Sequence, residues 1–152
     1  VTAPFSSLPN VDFLATGAPK AWPRPVTARG GHVYRNGSAD EWGHNVRAFC
    51  VQCLQGLQGW PRDGSFHVVL QFTFKRPPVH FLRGALRETA PVSYLKRPDV
   101  DNLAKQVLDA LGSWDDLPPL LWWDDAQVEW LQVSKRWGNI EGMRFRAWWT
   151  AR

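Results

Sequence analysis

This 152-residue chain is short of cysteine and histidine and has no long apolar run, and each shortage removes a class of explanation. Cys50 and Cys53 form a C-x-x-C, but no second C-x-x-C and no histidine pair stands at zinc-finger spacing, so a structural zinc site is not indicated. Two cysteines are too few for a secreted disulfide scaffold. They sit in V-R-A-F-C-V-Q-C-L, an apolar helical context where thiols act as small core residues; a metal or redox pair is the alternative. His32, His44, His67 and His80 are scattered and support no histidine-centred chemistry. No segment approaches the roughly 18 consecutive apolar residues of a membrane span, and no charged region leads into an apolar one near Val1. The expectation is a soluble, cytoplasmic protein. There are no internal repeats, and the length suits one domain with a real core.

The net charge of +4 hides an asymmetry. Residues 1–98 hold twelve Lys and Arg against five acids, whereas residues 99–152 hold six against nine. A basic body around an acidic patch suits a protein that holds phosphates with cations and a metal with carboxylates, although many basic proteins bind no nucleic acid. Lys20, Arg24, Arg29 and Arg35 would decorate one extended surface, for backbone contact with DNA or for plain solvation. Arg83, Arg87, Lys96 and Arg97, with Arg76 just ahead, crowd a long segment, 79–97, that has no good periodicity. Long loops inside compact domains are usually functional or disordered, and this one is the candidate DNA-gripping loop; a flexible insertion is the alternative.

The chain is organised around R-P-D-V-D-N-L-A-K-Q-V-L-D-A-L-G, Arg97 to Gly112. Val100, Leu103, Ala104, Val107, Leu108 and Leu111 form the apolar stripe of a helix buried along one face, and Gly112 is placed to end it. On the polar side Asp101, Lys105 and Asp109 climb one track, with Asn102 beside them and Asp99 just ahead. Between Asp99 and Asp125 there are seven acids and one base. Carboxylates brought into contact repel by roughly 4 kcal/mol per pair at an effective dielectric of 20, and gathered hard oxygen ligands are what Mg²⁺ or Mn²⁺ requires. A lysine one turn away could contact a phosphate or the attacking water. Metal-assisted phosphodiester chemistry is the function that this pattern points to.

The helix motif, followed by D-D-A-Q-V at 124–128, resembles the RusA-like Holliday-junction resolvases, small dimeric Mg²⁺-dependent endonucleases often carried by phages and prophages. The resemblance implies Asp99, Asp101 and Asp125 as essential metal-binding acids, with Asp124 beside them and Lys105 as the catalytic lysine. Asp109 also matches a family position. It further implies branched DNA as substrate, cut by two subunits of a homodimer. The stretch between helix and acidic pair, 113–123, is longer than usual and carries its own pair, Asp115 and Asp116; the A-Q-V and strand pattern after Asp125 favour the later pair. Two rivals stand beside the nuclease. One is a junction-binding protein with a weak or lost site. The other is a D-x-D phosphatase or glycosyltransferase, which would usually place that motif after an apolar strand.

The remaining pattern predicts an α+β (mixed α/β) domain over 11–152, preceded by an arm at 1–10. Strands are expected at 11–16, at 26–35 as a hairpin turning at Gly30–Gly31, at 64–75 with Phe66, Val68, Leu70, Phe72 and Phe74 on one face, at 126–137, and at 143–150 as the return of a second hairpin. In the fourth, Val128, Trp130 and Gln132 should face one way. A first helix should run from Ala39 to about Leu57 behind an N-cap at Ser38, with Trp42, Val46, Phe49, Cys50, Cys53 and Leu57 inward. Two main helices would pack on a mixed sheet of about four or five strands. Of ten tryptophans, most belong to a core or an interface, and Trp122 and Trp123, beside the acids, are the candidates for stacking on bases.

Overall fold

In a computed structural model the protein is described over residues 9–22, 26–27, 29–31, 33–34, 37–57, 60–114 and 116–150. The arm through residue 8, Arg24, His32, Arg35 and Asp115 lie outside the described residues. In chain order the elements are β1 (Val11–Thr16), β2 (Val26–Thr27), β3 (Val33–Tyr34), α1 (Gly37–Leu54), β4 (Ser65–Lys75), β5 (Phe81–Leu82), β6 (Ala85–Leu86), α2 (Val100–Leu111), β7 (Val128–Gly138) and β8 (Gly142–Thr150). The main sheet has the order β1-β8-β4-β7. Within it β8 runs antiparallel to both β1 and β4, and β7 runs parallel to β4. The fold is the expected α+β class.

Strict alternation explains the core. Phe66, Val68, Leu70 and Phe72 of β4 share one face with Val11, Phe13 and Ala15 of β1 and Met143, Phe145 and Ala147 of β8, all buried. Against that face lie Trp42, Val46 and Cys50 of α1 and Leu103, Ala104, Val107 and Leu111 of α2. Burial pushes the Cys50 thiol up to about 12, so it is an inert core residue rather than a ligand. α1 packs tightly on α2 and the chain after it: a Cβ at Gly43 would come within 3.0 Å of the Gln106 amide and 2.6 Å of the Trp114 ring.

Several expectations are corrected. The first helix begins at Gly37, so Ser38 lies inside it rather than capping it, and it ends at Leu54, leaving Leu57 exposed. Buried Arg47, which periodicity did not single out, reaches from α1 to the α2 carboxyl end, donating to Ala110 O (2.7 Å) and Pro118 O (2.8 Å). Asn10, just ahead of β1, is docked on β8 by its N–H, which donates to Ala147 O. β7 and β8 are not a hairpin, because β4, apolar on one face and carrying buried Val69 on the other, takes the place between them. Alternation says which face a residue takes and not which strand is its neighbour. A register shift between Phe66 and His67 also skips Glu129, which puts Val128 on the core side with Leu131 and Val133, opposite Trp130. The segment 79–97 is not structureless. It holds a helical turn at Pro78–His80 and the β5–β6 hairpin, turned by Arg83 (φ 51°) and Gly84 (φ 82°), the pair of positive φ values that a tight two-residue turn requires.

The long stretch after α2 folds as a plug. Leu120 and Leu121 N–H groups both donate to Leu111 O, and Leu121 and Trp122 are fully buried. The Trp122 indole N–H donates to Leu108 O at 3.1 Å while its ring packs beside Phe66 and Phe145. Trp122 is therefore a core residue, and its candidacy as a stacking platform is withdrawn. Replacing Trp122 by Ala should cost about 3–5 kcal/mol of stability, as for other large-to-small core changes, read as a lower denaturation midpoint in urea.

Candidate active site

α2 carries half of the site. Its apolar stripe turns inward from Leu103 onward, Val100 in the first turn being exposed, and Asp101, Lys105 and Asp109 lie on the outer track. Asp99 stands at the N-cap position with extended backbone and does not use its side chain as a cap. Lys105 Nζ lies 3.1 Å from Asp109 Oδ2 and 5.1 Å from the centre of the Trp22 ring. Trp22 is held there by its own N–H, which donates to Asn102 O at 3.0 Å. A cation between a carboxylate and an indole face is aimed rather than mobile.

The second half comes from the acidic pair. Asp124 opens a helical turn, Asp125–Gln127, and its Oδ1 accepts the Ala126 N–H at 2.8 Å. Gln127 completes the clamp. Its Oε1 accepts the N–H groups of Trp123 (2.8 Å) and Asp124 (3.1 Å), and its Nε2 donates to Arg62 O (2.7 Å) and Gly64 O (2.9 Å). Every hydrogen-bonding position of that amide is used, so the acidic pair is fixed to the chain entering β4. Sequence reasoning quoted Gln127 only as part of a motif; the D-x-x-Q spacing of a capping box was the signal that could have given it a role.

Both halves meet in a cavity of about 300 Å³ lined by Lys105, Leu108, Asp109, Gly112, Ser113, Trp123, Asp124 and Asp125. The Asp125 carboxyl is held above the usual carboxylate range, first by partial withdrawal from water, then by Asp109 and by its hydrogen bond to and the charge of Asp124; Lys105 pulls the other way. Asp125 is thus brought together with Asp124, Asp109 and Lys105. Asp101 is exposed one turn before Lys105, about 12 Å along the axis from Asp109. Asp99 lines a neighbouring depression with Trp22, Arg97, Pro98 and Asn102. Asp116 is exposed and does not line the cavity that holds Asp125.

The expected DNA-binding cations divide by role. Lys20, Arg29, Arg83, Lys96 and Arg97 are exposed. Arg76 is half-buried and braces the loop by donating to Pro91 O at 2.7 Å, and Arg87 Nε donates to Phe81 O at 3.2 Å. The loop is stitched to β7 by the Trp137 N–H to Val92 O bond and by an aromatic group, Phe74, Tyr94 and Trp137, with Lys96 above Trp137. Lys135, which no motif flagged, donates to Lys96 O (2.6 Å) and Pro98 O (2.8 Å) and so holds the run into Asp99.

Asp109, Asp124 and Asp125 bring carboxylate oxygens to this cavity, the donor type that a hard divalent cation takes. Among the described residues no group of three or more His, Cys, Asp or Glu side chains is placed to hold a metal ion. Among the same residues no helix is long and apolar enough to cross a membrane. No curated protein matches the chain. The family described as endodeoxyribonuclease RusA matches residues 16–144, which include both halves of the site and the basic loop. The chain belongs to the RusA endodeoxyribonuclease family.

Proposed function

We propose that this protein is a Mg²⁺-dependent, structure-specific endodeoxyribonuclease that resolves four-way DNA junctions by paired hydrolysis, as a homodimer. The observation that carries the reading is the convergence of Lys105, on α2, with Asp124 and Asp125, from a separate segment, at one cavity in a chain of the RusA family. Asp125 and Asp124 are the central metal-binding acids, with Asp109 beside them and Asp101 and Asp99 toward the amino end of α2. Bound there, Mg²⁺ or Mn²⁺ would polarise the scissile phosphate and lower the pKa of a coordinated water.

The chain's own residues supply the rest. Lys105, aimed by Asp109 and Trp22, neutralises charge building on the phosphate in the transition state. Gln127 keeps the acidic pair in register with α2. Arg83, Lys96 and Arg97, exposed around the approach to Asp99, hold the DNA backbone without reading sequence.

The reading is tested by incubating labelled four-way junction with the protein in Mg²⁺, in Mn²⁺ and in chelator. Nicking with either metal and none in chelator is the expected result. Salt-sensitive binding without nicking under any metal would leave a junction-binding protein with a disabled site.

A further inference from the structure

Trp123 stands apart from the nine other tryptophans. It is 58% exposed, whereas Trp42, Trp114, Trp122 and Trp148 are buried, Trp22, Trp60, Trp130 and Trp137 are half-buried, and Trp149 is 36% exposed. Trp123 is thus the most exposed of the ten. Its backbone is among the best-held in the site: the N–H donates to Gln127 Oε1 at 2.8 Å, and the carbonyl accepts the Ser113 hydroxyl at 3.1 Å. On one side it follows Trp122, anchored in the core, and on the other it precedes Asp124. Trp123 lines the same cavity as Lys105, Asp109 and Asp125. A rigid backbone with an exposed aromatic face at the rim of an acidic cavity is the arrangement of a stacking platform.

We propose that Trp123 stacks on a nucleobase beside the scissile phosphate, one that is unstacked at a branch point and therefore available only in a distorted or branched substrate. This assignment rests on the endonuclease reading and adds a substrate-selecting residue to it. An indole cannot stack on a base enclosed in a regular duplex, because both faces of that base are already covered by its neighbours. The ring therefore favours branched over linear DNA without any hydrogen bond to a base edge, and it tolerates any of the four bases, since each has a π-face. The indole thus offers the site an uncharged contact to the adjacent nucleoside, one that needs no metal ion.

The test measures binding in chelator, and cleavage in Mg²⁺, for the wild type, Trp123→Ala and Trp123→Phe. The substrates are a four-way junction carrying 2-aminopurine at the nucleotides flanking the cut, and a matched linear duplex. Trp123→Ala should weaken junction binding by roughly 5- to 100-fold, the range that the loss of one base-stacking contact implies, with duplex binding unchanged. It should also abolish the 2-aminopurine fluorescence change seen with the wild type, and its cleavage defect should lie in KM more than in kcat. Trp123→Phe should restore most of the binding, and both variants should melt with the wild type because the ring packs little core. Junction binding by Trp123→Ala equal to that of the wild type would overturn the stacking assignment alone. Failure of the wild type to bind the junction would overturn this assignment and the endonuclease reading together.

Discussion

Replacing Asp125 by Asn is expected to lower Mg²⁺-dependent cleavage by at least about 10³-fold, the several kcal/mol that a metal-held phosphate contributes. In chelator the same change should leave the fold as stable as before, or more so. Asp125 is a carboxyl whose ionisation is opposed in the folded chain, by partial desolvation first and then by Asp109 and Asp124. A group whose folded pKa lies above its unfolded value of about 3.9 costs stability once the pH rises through the folded value, and costs none below the unfolded one. Asn carries no charge at any pH. The variant's advantage should therefore be present at neutral pH and disappear below about pH 4, measured as urea midpoints across pH in chelator. A loss of stability at neutral pH, equal to or larger than the loss of activity, would make Asp125 a structural residue.

The second large effect belongs to a residue that need never touch DNA. Gln127→Met keeps roughly the volume and removes four hydrogen bonds, two to the backbone of Trp123 and Asp124 and two to the carbonyls of Arg62 and Gly64. At about 0.5–1.5 kcal/mol net for each bond, the protein should lose roughly 2–6 kcal/mol of stability. The catalytic loss should be larger than partial unfolding accounts for, because a displacement on the order of 1 Å in a positioned group can cost about 10²-fold in rate. Junction affinity in chelator should fall less than the rate, because the Ser113 hydroxyl still holds the Trp123 carbonyl. Gln127→Glu should not rescue it, since a carboxylate can accept from Trp123 and Asp124 but cannot donate to the two carbonyls. Single-turnover rates beside chelator binding constants separate these effects; a parallel fall of both would place Gln127 in substrate binding.

Much of the scaffold was legible because it follows from periodicity. The α2 stripe and the alternating face of β4 each specify a buried side with little room for an alternative, and Gly112 ends α2 where the pattern stops. What escaped was what no local pattern encodes. The place of β4 between β7 and β8, and the shift that turns Val128 inward, depend on which strands meet, a non-local choice. The turn of Arg83–Gly84 was overlooked in a segment judged only by its lack of alternation.

The site divides in the same way. Asp101, Lys105 and Asp109 were legible as one track, since helical spacing alone puts them on one face. The choice of Asp124–Asp125 over Asp115–Asp116 rested on the strand that follows, and the folded plug at 116–123 shows how the chain reaches the cavity: Leu121 and Trp122 dock in the core and deliver Trp123 to Asp125 beside α2. Arg47, Lys135 and Gln127 donate to backbone carbonyls far away in sequence, and side-chain identity carries no trace of such partners. The placement of Asp99 beside Arg97 and Trp22, apart from Asp125, is likewise a property of the three-dimensional path.

The central claim, that this site cuts branched DNA in a paired and structure-selective way, is tested most directly by mapping nicks on all four strands of a synthetic junction beside a matched linear duplex, with Asp101→Asn as control. The account predicts symmetric nicks on two opposing strands in Mg²⁺, an uncut duplex, and no nicks with the variant. Equal cutting of junction and duplex, or cutting that survives in Asp101→Asn, would contradict it.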